Sequence, residues 1–197
     1  MARTRYLIGI DEAGRGPLAG PVSVGAVLVP TAFDWGQVEG ARDSKKMTPT
    51  ARGVVYAQLQ ALAREKKLRF SVALSSARTI DRIGIVPAIR RALARAIVKL
   101  DADPRDCTVL LDGGLVAPEE FIYQETIVRG DDSEPVISLA SIAAKVHRDR
   151  LMVRLGEKYP KYSFETHKGY GTALHRQAIQ TYGLCAIHRR AFCTSFT

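Results

Sequence analysis

Ile8-Gly9-Ile10-Asp11-Glu12-Ala13-Gly14-Arg15-Gly16-Pro17-Leu18-Ala19-Gly20-Pro21-Val22, residues 8–22, is the stretch from which the fold is read. An apolar run brings two adjacent carboxylates, Asp11 and Glu12, to its end, and an arginine between two glycines follows at once. A short hydrophobic run closed by a Gly/Pro-rich turn reads as a β-strand that delivers its last side chains to a sheet edge. Acid beside a glycine-rich basic turn suits metal ions held against a phosphate backbone, provided that further carboxylates arrive from downstream.

Working outward, residues 5–11 form the first strand and 21–29 the second, and the tight turn between them favours antiparallel neighbours. A loop with Trp35 leads to Asp43-Ser44-Lys45-Lys46. Thr48 then caps a helix with Pro49 at its first position and Ala51, Val55, Leu59 and Leu62 at helical spacing. Residues 67–75 read as a strand. The clearest helix covers 85–100, with Ile85, Ile89, Leu93 and Ile97 on one side and Arg90, Arg91 and Arg95 largely on the rest. Strands at 107–111 and about 121–128 precede a helix over about 135–155, an ordered loop at 156–171, a helix near 171–182 and a compact tail pinned by Phe192 and Phe196. Strands first, then alternation with helices, indicate an α/β sheet with added C-terminal helices. There is no internal repeat or low-complexity linker, so residues 1–197 read as one domain, with about 156–197 as its C-terminal part.

A chain of 197 residues with 46% hydrophobic residues can bury a sizeable core. Its net charge of +9, from 29 Lys and Arg against 20 Asp and Glu, fits a polyanionic partner, and equally a solvated basic surface. The three cysteines, Cys107, Cys185 and Cys193, make no zinc spacing, and Cys107 opens an apolar run as a core thiol would. No signal peptide or membrane-length run is apparent, so a cytoplasmic protein is expected.

Asp112 repeats the context of Asp11, an apolar strand before a small-residue turn, and Asp131 follows a strand and precedes a helix. In α/β proteins strand ends are where binding residues meet, so Asp11, Glu12, Asp112 and Asp131 could share one edge. Clustered carboxylates repel unless compensated. Oxygen ligands without histidine or thiolate suit Mg²⁺ or Mn²⁺, two of which promote phosphodiester hydrolysis. The competing reading is that Asp11 and Asp112 only cap strands and turns, and spacing alone does not choose between them.

At these residues the sequence resembles the type 2 ribonucleases H, in particular bacterial ribonuclease HII. The resemblance runs from the opening motif through Asp43-Ser44-Lys45-Lys46, Leu111-Asp112-Gly113, Gly130-Asp131, Ala140-Ser141-Ile142-Ala143-Ala144-Lys145-Val146 and Arg148-Asp149-Arg150. It ends at His167-Lys168-Gly169-Tyr170-Gly171-Thr172 with His175, and Ile187-His188-Arg189-Arg190. The resemblance implies a ribonuclease H-like fold, a central five-stranded mixed sheet flanked by helices with a helical C-terminal extension. It implies a metal-dependent endonuclease that hydrolyses the RNA strand of RNA/DNA hybrids. It also implies incision 5′ to single ribonucleotides embedded in duplex DNA, leaving 3′-hydroxyl and 5′-phosphate ends. Asp11, Glu12, Asp112 and Asp131 match the catalytic, metal-binding acids, with two Mg²⁺ or Mn²⁺ ions when substrate is bound. Gly14, Arg15 and Gly16 match the loop that reads the 2′-hydroxyl and its adjacent phosphate, Tyr170 the ring that senses the step from RNA to DNA, and Lys45 and Lys46 residues near the phosphates. Members of the family usually act as monomers, without a membrane.

The chain departs from the pattern at Arg129, where lysine is common, and at Leu139, where a small residue is usual. Asp132 and Asp149 are the alternatives to the assigned acids, and Lys145 with Asp149 also makes an i,i+4 ion pair. His167, His175 and His188 are too widely spaced for a metal motif and fit structural or phosphate-side roles. Two other functions compete: hydrolysis restricted to continuous hybrids, and non-catalytic hybrid binding. The sister group, ribonuclease HIII, carries an N-terminal substrate-binding domain, for which a motif beginning at residue 11 leaves no room.

Overall fold

The computed structural model describes residues 4–38 and 47–195. Its strands are β1 (Tyr6–Ala13), β2 (Val22–Pro30), β3 (Arg69–Ser75), β4 (Cys107–Asp112) and β5 (Gln124–Ile127). Its helices are α1 (Pro49–Arg64), α2 (Ala77–Ile83), α3 (Ile85–Val98), α4 (Gly130–Ser133), α5 (Pro135–Lys158), α6 (Phe164–His167) and α7 (Ala173–Tyr182). The strands form one five-stranded sheet in the order β3-β2-β1-β4-β5. β1 and β2 make the expected antiparallel hairpin, with Tyr6 opposite Pro30 and Ala13 opposite Ser23, and β3 continues it beyond β2. On the other side β4 and β5 run parallel to β1, which makes the sheet mixed, as the resemblance implies.

Both faces of the sheet are covered. Ile8 and Ile10 of β1 pack with Ile89, Leu93 and Ile97 of α3 on one face, where Cys107 is fully buried. On the other, Val27 and Val29 of β2 pack with Leu59 of α1 and with Ile137 and Ile142 of α5. Gly9 and Gly25 decide how closely α5 can lie. A Cβ at Gly9 would overlap the Val136 carbonyl, and one at Gly25 the Ala140 carbonyl. The helix therefore rests directly on the sheet backbone, which carries Ser141 and Lys145 to the end of β1.

Thr48 caps α1 as its sequence predicts, its hydroxyl accepting the Ala51 N–H at 3.2 Å, with Pro49 at the first position. Trp35 is a loop anchor, edge-on to Phe33 at 5.0 Å. Helix α2 lies between the expected strand and helix. Ser76 caps it by accepting the Thr79 N–H, Gly84 ends it, and only Ala77 and Ile80 are buried, too few to show a period. The strand expected over 121–128 shortens to Gln124–Ile127, and the loop at 156–171 contains a 3₁₀ turn at Pro160–Tyr162 and the short α6.

A third apolar cluster, Ala19, Met152, Tyr162, Phe164 and Ala178, seats the C-terminal elements on α5. Phe192, expected to pin the tail onto the C-terminal helical part, packs instead against the core cluster built from the sheet, α2 and α3. Phe196, the other expected anchor, lies outside the described residues. Among the described residues no helix is long and apolar enough to cross a membrane.

Candidate active site

Asp11, Glu12, Asp112 and Asp131 line one cleft of about 400 Å³, together with Gly14, Arg15, Gly16 and Tyr170. Topology explains the meeting. Strands β1, β4 and β5 are parallel neighbours, so their C-terminal ends share one edge of the sheet. β1 runs two residues beyond its expected end, so Asp11 and Glu12 sit within it, opposite Gly25 and Val24. Asp112 is the last residue of β4, and Asp131 stands in the first turn of α4 just after β5. Asp132 is exposed and Asp149 pairs with Lys145 at 3.4 Å, so the cleft receives Asp131 in preference to either alternative.

The carboxylates are held at an electrostatic cost. Burial pushes the Asp11 carboxyl up to about 8, the Ser141 hydroxyl opposes that shift, and the charges of Glu12 and Asp112 add to it. Asp11 is only 5% exposed, and its Oδ1 accepts the Glu12 N–H at 2.7 Å. Burial also raises Glu12, while the guanidinium of Arg15, 3.1 Å away, pulls it back. Asp112 Oδ1 is buried and has no hydrogen-bond partner among the described residues. A buried oxygen without a donor, beside a carboxyl driven toward its protonated form, fits a divalent cation with oxygen ligands. Among the described residues, however, no three His, Cys, Asp or Glu side chains lie closed up as a metal cage.

Beyond the acids the chain turns at Gly14, whose φ of +88° is open to glycine, and a Cβ there would overlap the Arg148 guanidinium. Arg148 of α5 is 1% exposed. It donates from Nε to the Pro21 carbonyl at 2.9 Å and from Nη2 to the Ala19 carbonyl at 3.2 Å. Arg189 of the tail is fully buried and donates to the Gly14, Arg15 and Gly20 carbonyls. In a trans peptide the C=O and the following N–H point in opposite directions. With the Gly14 and Arg15 carbonyls turned onto Arg189, the N–H groups of Arg15 and Gly16 point away from it. Tyr170 is 44% exposed across the cleft, with the Arg148 guanidinium 5.9 Å from its ring centre.

Ser141, Arg52 and Lys145 also line this cleft. None was assigned a role in it from sequence, nor were Arg148 and Arg189. The signal for Arg148 is its place in a helical row with Ala144 and Met152, both fully buried. Lys45 and Lys46, expected near the phosphates, lie outside the described residues. The three histidines, far apart in sequence, gather in space. His167 and His175 stack with centres 4.4 Å apart, and Nε2 of His175 and of His188 are 3.0 Å apart. They carry structure in the C-terminal cluster.

The family model described as Ribonuclease HII matches residues 8–195. A Ribonuclease HII of Delftia acidovorans is 46% identical over 93% of this chain and 74% of its own length. One of Bacillus cytotoxicus is 43% identical over 95% of this chain and 68% of its own. Among solved structures, the ribonuclease HII from the PCNA:RNase HII complex of Archaeoglobus fulgidus superposes with a TM-score of 0.76, 24% identity and coverage of 95% of this chain and 94% of that one. That likeness extends to the fold, with its central mixed sheet and C-terminal helices.

Proposed function

The chain belongs to the ribonuclease HII family and is an endoribonuclease of RNA/DNA hybrids, and from that premise we propose that it also incises 5′ to single ribonucleotides in duplex DNA. The products carry 3′-hydroxyl and 5′-phosphate ends. The observation that supports this reading is the shared cleft, where four carboxylates face a glycine-arginine turn and an exposed tyrosine.

Asp11, Glu12, Asp112 and Asp131 would hold Mg²⁺ or Mn²⁺, which when bound supplies Lewis-acid stabilisation and activated water for phosphodiester hydrolysis. Ser141 favours the charged form of Asp11, which is the form a cation needs. The outward N–H groups of Arg15 and Gly16 are placed to meet a 2′-hydroxyl, which separates RNA from DNA because it both donates and accepts. The Tyr170 ring offers a stacking surface for the sugar that follows. Arg52 and Lys145 of the cleft position phosphates without reading sequence, and the same role falls to Lys45 and Lys46, which precede Thr48 in the sequence.

The test is product mapping on a duplex containing one ribonucleotide, beside an all-DNA duplex and with Mg²⁺ or Mn²⁺ supplied. A single cut 5′ to the ribonucleotide is expected, and none in the control. Equal cutting of both would remove ribonucleotide recognition, and undiminished cutting in excess chelator would remove the metal.

A further inference from the structure

We propose that His188 and Arg189, consecutive residues of the C-terminal tail, are positioning residues that set the spacing between the Gly14-Arg15-Gly16 turn and Tyr170. By doing so they determine how well the enzyme reads a single ribose followed by a deoxyribose. The inference rests on the reading of the cleft given above and concerns residues that do not line it.

Arg189 holds the turn. One guanidinium donates from Nη2 to the Gly14 carbonyl at 2.6 Å, from Nη1 to the Arg15 carbonyl at 2.9 Å and from Nε to the Gly20 carbonyl at 2.9 Å. Its backbone N–H donates to the Leu18 carbonyl at 2.8 Å, so the residue grips the loop along its length. A planar fork meets several carbonyls at fixed angles, which a flexible ammonium cannot do.

His188 holds Tyr170 through a relay of fixed direction. Its Nδ1 accepts the Cys185 N–H at 2.9 Å, so its proton resides on Nε2. That N–H donates to His175 Nε2 at 3.0 Å, which places the His175 proton on Nδ1. The last bond runs from His175 Nδ1 to the Tyr170 carbonyl at 2.9 Å. The proton positions are assigned from the network, and each donor finds one acceptor only in this arrangement. Burial, followed by the neighbouring His175, lowers His188 to about 4, which keeps the relay neutral at physiological pH.

The two grips are joined. Leu18 donates its N–H to the Gly169 carbonyl at 2.8 Å, Gly20 donates to the Ile187 carbonyl at 2.8 Å, and Ala19 bridges His188 in antiparallel fashion. The turn, the tail and the segment before Tyr170 therefore form one hydrogen-bonded body. His175 and Arg189 are fully buried and His188 is 3% exposed, so none of them reaches a substrate. Packing alone would be served at lower cost by apolar side chains, because a buried guanidinium needs every donor satisfied. What the polar set adds is a defined distance between the two readers. That distance matters when one sugar step must satisfy both the turn and the ring.

The experiment compares kcat/KM on a duplex with one ribonucleotide and on a continuous RNA/DNA hybrid, for the full chain and its variants. In Arg189→Met and His188→Phe the ratio of single-ribonucleotide to hybrid activity should fall on the order of tenfold or more, as ångström-scale misplacement commonly costs. His188→Gln, whose amide can still donate to His175, should restore most of the ratio, which a purely structural role would not require. Circular dichroism checks the fold. Should Arg189→Met fail to fold, the His188→Phe and His188→Gln pair carries the test at preserved volume. Folded variants whose two activities fall by the same factor overturn the coupling alone. A wild-type chain that leaves the single-ribonucleotide duplex uncut overturns the reading of the cleft, and this inference with it.

Discussion

The Arg15 guanidinium lies 3.1 Å from Glu12 Oε1, so the turn assigned to ribose reading is tied to one of the acids assigned to metal binding. The Arg15 side chain is half exposed while that of Glu12 is 13% exposed, which makes this a cleft-rim pair. Selectivity and chemistry thus adjoin within a few residues of one strand end.

Arg15→Ala should accordingly separate stability from activity. Rim ion pairs contribute up to about 1 kcal/mol, so the urea midpoint should barely move. Incision of a single-ribonucleotide duplex should fall by roughly tenfold through a raised KM, because a phosphate-side cation is lost. A variant that unfolds in proportion to its loss of activity would contradict the separation.

Asp11→Asn should abolish cleavage while leaving hybrid binding and fold intact. It should also change the pH dependence of stability. The Asp11 carboxyl moves from an ordinary 3.8 to about 8 on folding, so its contribution is fully present below about 3.8 and is lost as pH rises toward 8. With chelator present, wild type should therefore be less stable than Asp11→Asn at pH 8, by a few kcal/mol, and the gap should close toward pH 4. Added Mg²⁺ should raise the wild-type melting temperature at pH 8 and move the variant little. Identical pH profiles would show that Asp11 is not strained by its surroundings.

The histidine relay predicts the opposite slope at lower pH. His188 falls to about 4, and His167 and His175 are also lowered, in each case first by burial. Glu165 opposes the shift of His167 and Lys168 reinforces it. A lowered basic group binds its proton more readily when unfolded. Its stabilisation is present above about 6.5 and is lost as pH falls toward 4. His188 alone could account for roughly 3 kcal/mol across that window. Because Asp11 contributes with opposite sign over the same window, the decline should be read on an Asp11→Asn background. Urea melts from pH 7.5 to 4.5 should show it there, and adding His188→Phe should flatten it. An unchanged slope in that variant would place the acid sensitivity elsewhere.

How much of this was legible in the sequence depended on whether a feature was local. The strand ending near Asp11, the Thr48 cap and the periodic helix at 85–100 each announce themselves within a few residues. The four acids were named because each follows a recognisable strand or motif, yet their meeting depends on three strands being parallel neighbours. Spacing cannot show that. Arg189 was invisible as a site residue because its partners, Gly14 and Arg15, lie far away in sequence and the contacts are to backbone carbonyls, which no side-chain pattern records, and His188 reaches Tyr170 only through His175. Helix α2 was missed for the same kind of reason, since two buried residues make no period.

Tyr170→Ala gives the sharpest test of the substrate side. The ring is 44% exposed and its backbone carbonyl is held by His175, so removing it should leave the fold nearly unchanged. An aromatic ring stacked on a nucleotide contributes about 1–3 kcal/mol, which corresponds to a loss of roughly five- to 150-fold. That loss should appear in full on a duplex with one ribonucleotide, where the ring would meet the deoxyribose that follows the ribonucleotide. It should be smaller on a continuous hybrid, where ribose follows ribose and many registers are available. Tyr170→Phe, which keeps the ring, should retain most of the activity on both. Measuring kcat/KM for the two variants on the two substrates decides the matter: an equal loss on both would assign Tyr170 to general binding and take the junction-sensing role away from it.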